Sequence, residues 1–158
     1  MSAAPIEHAT FTIERHLHAP PALVYEAWST PQAKARWFAG TESEWNPDLR
    51  EMDFRVGGRE QVIGTWASGM VSHFDARYHV IQPEHLIVYT YDMYVDGNLI
   101  SVSVATVEIH ADAKDGTSRL RFTEQVTVLD ARYPASGREA GSQALMDRLA
   151  ASLPAGDR

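Results

Sequence analysis

One segment of the chain places a carboxylate among apolar side chains. Between residues 117 and 128, Leu120, Phe122 and Glu124 alternate with polar residues, and this spacing puts all three on one side of a β-strand. A carboxylate in such surroundings can serve as a general acid, a general base or an anchor for a ligand. It can also be a structural group that pairs with an arginine. We favour ligand contact over catalysis for Glu124, and we assign no other catalytic residue.

Aromatic and small side chains elsewhere indicate the walls of a pocket. Alternation places Tyr89, Tyr91 and Met93 on one face of a strand, and the small residues Gly141 and Ser142 leave space beneath a C-terminal helix. An apolar pocket with a few hydroxyl groups suits a small hydrophobic ligand, whereas the alternative is that the same side chains simply form a core. The predicted ligand-binding residues are Trp45, Trp66, Tyr78, Tyr89, Tyr91, Met93, Phe122, Glu124, Ser142, Leu145, Met146 and Leu149.

Two loops are expected to form the entrance to this pocket. Trp45 lies in the polar run 41–48, and of the four tryptophans it is the one that we expect to line an opening. Tyr133 lies in a second loop, at residues 129–137. We interpret these two loops as a gate.

Other kinds of site lack the residues that they need. His16 and His18 share a strand face, but no third metal ligand is apparent, so we expect no metal. The pair Gly57-Gly58 lacks the remaining residues of a phosphate-binding loop, and no nucleophile-elbow motif occurs. We expect no cofactor.

Charge and composition narrow the range of partners. The chain has 158 residues, 14 basic against 21 acidic, a formal net charge of −7 and no cysteine. Its basic residues are scattered, which argues against nucleic acid and acidic membrane surfaces as partners, and the missing cysteines exclude disulfides and thiolate catalysis. No apolar run approaches the roughly 20 residues of a membrane span. We expect a cytoplasmic protein that does not insert into membranes.

The periodicity of the middle of the chain is that of a β-meander. Alternating segments at 49–56, 59–66, 70–81, 86–95, 98–110 and 117–128 follow a first strand at 10–18. The connections, among them Asp96-Gly97 and Asp115-Gly116, are too short for parallel crossovers, so the strands must be antiparallel.

Helical patterns lie only before and after this meander. Pro21 and Pro31 each begin a short helix. A capping box at Ser136 begins a long helix that reaches Leu153. We therefore predict a single α+β domain over 1–158, with its core at about 10–153: a helix-grip fold in which about seven curved antiparallel strands wrap around the C-terminal helix and two short helices join strands one and two.

Several motifs, in order, carry a family resemblance. The segment 51–60, EMDFRVGGRE, resembles the D-x-R-x-G-G hairpin of START-like (SRPBCC) proteins, and in particular the branch named after the activator of the heat-shock-protein-90 ATPase. The segment 22–31, followed by 36–38, resembles the entry helices of that branch, and the segment 83–91 resembles its P-E-R-L-V-Y-T-W strand. The segment 120–125 and the final helix complete a match that covers roughly residues 10–153.

The resemblance implies a fold and a range of functions. Similar proteins include ligand carriers, aromatic-polyketide cyclases and co-chaperone domains, because members of this superfamily share a fold and not a reaction. We expect non-catalytic binding of a small apolar or aromatic molecule. The alternatives are a cyclase-like or hydrolase-like enzyme that uses a pocket carboxylate, and a co-chaperone-like regulator with a chaperone as its partner. An open sheet edge also permits a homodimer.

Overall fold

The computed structural model describes residues 6–154. The chain forms seven strands and three helices, in the order β1 (Glu7–Leu17), α1 (Pro21–Ser29), α2 (Pro31–Ala35), β2 (Trp45–Met52), β3 (Arg59–Trp66), β4 (Val71–Gln82), β5 (Leu86–Val95), β6 (Asn98–Ala111), β7 (Ser118–Val128) and α3 (Ala135–Ser152). The predicted α+β architecture, with two short helices between the first two strands and a long terminal helix, is confirmed.

All seven strands form one antiparallel sheet in the order β1-β7-β6-β5-β4-β3-β2. The last six strands are a meander, as the short turns predict, and β1 pairs with β7 on the far side. The Asp96-Gly97 turn adopts the conformation that this dipeptide favours, since its two φ angles are 49° and 81°, whereas at Asp115-Gly116 only the glycine has a positive φ, 78°. The sheet remains open, with β1 and β2 as its edges.

The sheet is curved, and its irregularities have defined positions. The register shifts between Pro47 and Leu49 in β2, between Tyr78 and Val80 in β4, and between Leu99 and Ser101 in β6, which lie opposite Tyr94 and Met93. A β-bulge bends its strand and increases the local twist. The three bulges therefore help the sheet to form the concave face on which the long helix lies.

Strand β2 begins and ends earlier than the predicted segment 49–56. Trp45 already pairs with Trp66, and the strand ends at Met52, after which residues 53–58 form a loop. The sequence concealed this start because polar residues and Pro47 surround Trp45. A proline is tolerated there because it lies on an edge strand, next to a bulge.

Helix α3 crosses the concave face and is held by contacts to β1. Ser142, Met146 and Leu149 are its buried central residues, and Arg15 of β1 donates hydrogen bonds to Gln143 (2.6 Å) and Asp147 (3.1 Å). The predicted capping box at Ser136 is wrong. The helix begins one residue earlier, and its first amide, that of Ala135, donates to Oε1 of Glu7 at 2.9 Å. A side chain distant in sequence thus caps the helix, which no local motif could indicate.

Candidate functional site

A cavity of about 570 Å³ lies between α3 and the concave face of the sheet. Residues of β2 to β7 form one wall and the underside of α3, from Gly137 to Arg148, forms the other. Most of the surface is apolar, with Phe74 and Phe122 among its aromatic residues. Tyr133 and Pro134, from the loop before α3, lie at one end. A concave, mostly apolar space of this size matches the usual dimensions of a small-molecule site.

Most of the predicted ligand-binding residues are brought together around this cavity. Those that line it are Trp45, Trp66, Tyr89, Tyr91, Met93, Phe122, Glu124, Ser142 and Leu145. The other three do not contribute to the wall. Met146 and Leu149 are buried on the part of α3 that packs into the core, and Tyr78 donates its hydroxyl to Glu60 instead.

Trp45 lines the cavity as a fixed wall residue, and the expectation that it lies at an opening is wrong. Only 5% of its surface is exposed. Its indole lies on Gly64, where a Cβ atom would approach the ring to 2.0 Å, so the close fit depends on glycine. The guanidinium of Arg50 lies over the ring, 5.0 Å from the centroid. A ring held in this way is not part of a mobile gate.

A buried polar cluster closes one end of the cavity, and Glu124 is its centre. Its Oε2 accepts hydrogen bonds from the hydroxyls of Tyr91 (2.6 Å) and Ser103 (2.7 Å) and from Nη1 of Arg138 (3.1 Å). Arg138 also donates to Ser101 at 2.6 Å. The three neighbouring strands β5, β6 and β7 supply the tyrosine, the serines and the glutamate, and the first turns of α3 supply the arginine.

The two oxygens of this carboxylate have very different surroundings. Oε2 has three donors, whereas Oε1 is buried and has no hydrogen-bond partner among the described residues. A buried acceptor without a donor is costly, so such a group invites an explanation. Burial alone lowers the pKa of Arg138, but Tyr91 and Glu124 outweigh it and hold that pKa above the usual value. The arginine therefore remains a cation and the cluster contains an ion pair.

A second buried ion pair lies behind the aromatic wall. Nζ of Lys34 is 2.6 Å from Oε1 of Glu60, and both side chains are almost fully buried. Tyr78 donates to the same oxygen at 2.6 Å. The ammonium lies within 6 Å of four aromatic rings, and the nearest, Phe38, is 4.6 Å away and lines the cavity. This pair joins α2 to β3 and supports the wall from behind.

Comparison with known proteins identifies the family. The family model described as "Activator of Hsp90 ATPase homolog 1-like protein" matches residues 18–153. The chain belongs to this family. The resemblance seen in the sequence is thereby confirmed. No curated protein matches the chain.

Solved structures similar to this family member come from several bacteria. A protein of Rhizobium leguminosarum is 40% identical, with a TM-score of 0.84 over 94% of this chain and 95% of that one. The Mll3558 protein of Rhizobium loti is 33% identical, with a TM-score of 0.85 over 95% of this chain and 100% of that one. An AHSA1-like protein of Aeromonas hydrophila is 19% identical, with a TM-score of 0.66 over 91% of each chain, and supports the fold alone.

Two further features of this family member bear on its chemistry. Within residues 6–154, no three histidine, aspartate or glutamate side chains are grouped so that they could hold a metal ion. None of the helices in the same range is both long enough and apolar enough to cross a membrane.

Sequence reasoning missed the arginines of the site. Arg138 lies within the supposed capping box, and neither Arg138 nor Arg148 is among the predicted site residues. Arg148 turns inward, donating from Nε to the carbonyl of Trp37 at 3.2 Å and from Nη2 to that of Ala39. One pattern could have indicated Arg138, which lies one turn before Ser142 and two turns before Leu145, on the inner side of the helix.

Three buried tyrosines should make this protein less stable at alkaline pH. Burial raises the pKa of Tyr78, Tyr89 and Tyr91 well above the ordinary 10.0, and nearby glutamates add to the effect. Above pH 10 the unfolded chain therefore binds fewer protons than the folded one, and the free energy of unfolding falls as pH rises. We expect a slope of about 1.4 kcal/mol per pH unit for each tyrosine, measured by urea denaturation at a series of alkaline pH values.

The variant Tyr89→Phe is the control for this alkaline effect. The hydroxyl of Tyr89 has no hydrogen-bond partner in the described part of the chain. Phenylalanine at this position therefore removes the ionisable group and little else. The slope of the free energy of unfolding against pH should become shallower by the contribution of one tyrosine, about 1.4 kcal/mol per pH unit. An identical slope in Tyr89→Phe and the parent protein would contradict the assignment.

Proposed function

We propose that this protein binds a small hydrophobic or aromatic molecule, without catalysis, in the cavity beneath α3. The observation that carries the proposal is the combination of a space of about 570 Å³, apolar walls and one buried polar cluster. Apolar walls provide affinity, at about 25 cal/mol for each Å² of apolar surface that leaves water. The few polar groups at one end would orient the ligand.

The geometry of Glu124 favours binding over proton-transfer catalysis. An acid–base group must give or accept a proton readily, yet Oε2 is saturated by three donors, of which Arg138 is a cation. Tyr91, the nearest alternative acid, has a pKa raised by burial and by the charge of Glu124, which makes it a poor proton donor. These features suit a fixed recognition group.

Small residues on α3 give the proposal a sharp test. Gly141 lines the cavity, and a Cβ built on it would meet no atom within 4 Å. A tryptophan there can extend into the space without displacing the helix. We expect Gly141→Trp to weaken binding of the neutral fluorescent probe N-phenylnaphthylamine by roughly a hundredfold, which corresponds to about 2.7 kcal/mol. The measurement is a fluorescence titration, with thermal unfolding as the check that the variant is folded.

The matched control adds the same side chain to the same helix outside the cavity. Ala151 is exposed and does not line the space, so Ala151→Trp should bind the probe like the parent protein. Absence of probe binding by the parent protein would contradict the proposed function. Equal binding by both tryptophan variants would place the probe elsewhere and contradict it as well.

A further inference from the structure

The charged groups of the cavity are distributed unevenly along α3. At one end, the charge of Arg138 is balanced by Glu124. Arg148 also lines the cavity, and its partners are the backbone carbonyls of Trp37 and Ala39. Among the described residues no carboxylate pairs with it. Of the three arginines that line the cavity, Arg132 and Arg138 are thus paired with carboxylates, Asp130 and Glu124, and the positive charge of Arg148 is uncompensated among the described residues.

Arg138 and Arg148 are far enough apart to recognise opposite ends of one molecule. They are ten residues apart in α3, and a helix rises about 1.5 Å per residue, so their backbones are separated by about 15 Å along the axis. Between them the cavity is lined by apolar groups such as Leu145, Phe74 and Met93. An elongated apolar body fits this section.

Each end calls for a different polar group. An anion at Arg148 would supply the missing negative charge, and a partly buried guanidinium binds a carboxylate with paired, charge-assisted hydrogen bonds. An anion at Arg138 would instead meet the negative charge of Glu124. The unpaired Oε1 of Glu124 can only accept a hydrogen bond, so this end calls for a neutral donor such as a hydroxyl.

We propose that the ligand is an elongated apolar acid whose carboxylate pairs with Arg148 and whose other end carries a hydroxyl donated to Glu124. The inference rests on the proposed function, since it names the chemical class that the cavity would take. The net charge of −7 does not oppose it, because charges farther away than a Debye length, about 8 Å at physiological salt, are largely screened.

Four rigid compounds of matched shape test the inference: biphenyl, hydroxybiphenyl, biphenyl carboxylic acid and hydroxybiphenyl carboxylic acid, with substituents at the far ends. Each competes with N-phenylnaphthylamine for the parent protein. We expect the hydroxy acid to bind at least tenfold more tightly than either compound with one polar group, and biphenyl to bind most weakly. An acid that binds no better than its neutral counterpart would overturn the assignment to Arg148, and a hydroxyl without effect would overturn the assignment to Glu124.

Variants at Arg148 separate charge from structure. Arg148→Met should reduce the affinity of the two acids at least tenfold more than that of the neutral probe, whereas Arg148→Lys, which keeps the charge, should restore much of the preference for acids. Equal losses for acids and probe in Arg148→Met would indicate a structural role alone and overturn the proposal. If the parent protein binds the probe but shows no preference among the four compounds, the proposed function stands and the proposed ligand class is contradicted. If the probe itself does not bind, the proposed function and the proposed ligand class are both contradicted.

Discussion

Replacing Lys34 with methionine should lower the free energy of unfolding by about 3–5 kcal/mol. The substitution leaves the carboxylate of Glu60 buried without its cation, in a place where only 4% of that side chain reaches solvent. The hydroxyl of Tyr78, 2.6 Å away, remains as a donor but carries no positive charge. Urea denaturation of the parent protein and the variant measures the difference.

Two further variants show whether the loss comes from the unpaired charge. In Lys34→Met with Glu60→Gln, the amide oxygen still accepts from Tyr78 and no buried charge remains, so most of the loss should be recovered. The matched surface pair is Arg59 with Asp75, whose arginine side chain is 56% exposed, and Arg59→Met should cost less than about 1 kcal/mol. A cost for Lys34→Met no greater than that for Arg59→Met would contradict the argument.

The parts of the fold that the sequence predicts are those that local patterns encode. Period-two alternation and short turns determine the hairpins from β3 to β7, with Asp-Gly in the last two turns, because a turn sequence acts on its own neighbours. The same alternation correctly places Glu124 inside, together with Leu120 and Phe122. The start of β2 was missed because its first strand residue, Trp45, is surrounded by polar residues and owes its burial to Gly64, which is distant in sequence.

The sequence did not predict the buried basic residues and their partners. Lys34, Arg138 and Arg148 read as ordinary solvated cations, because long basic side chains are mostly exposed and nothing in their own segments indicates a partner. Each owes its position to a group on another element: Glu60 on β3, Glu124 on β7, and the carbonyls that follow α2. Such pairings depend on how α2 and α3 are placed against the sheet, and periodicity does not specify that placement.

Replacing Arg138 with methionine should also lower the free energy of unfolding by about 3–5 kcal/mol, because it leaves Glu124 buried and charged. The companion change Glu124→Gln leaves Arg138 without its counterion and should be costly for the converse reason. In the double variant neither charge is present, so the two losses should not add. The double-mutant cycle should give a coupling energy of up to about 3 kcal/mol.

The cycle also distinguishes a buried ion pair from a set of ordinary hydrogen bonds. Tyr91 and Ser103 can still donate to the amide oxygen of glutamine, so hydrogen-bond loss alone would give small, additive effects. Salt provides the second criterion, because buried charges are screened far less than exposed ones. The coupling energy should therefore be nearly the same at low and high salt, whereas that of the exposed pair Arg121 and Glu14 should decrease. Additive losses, or a coupling energy that disappears at high salt, would show that the cluster beneath α3 is solvated. The cavity would then lack the fixed, dry recognition group on which selective binding depends.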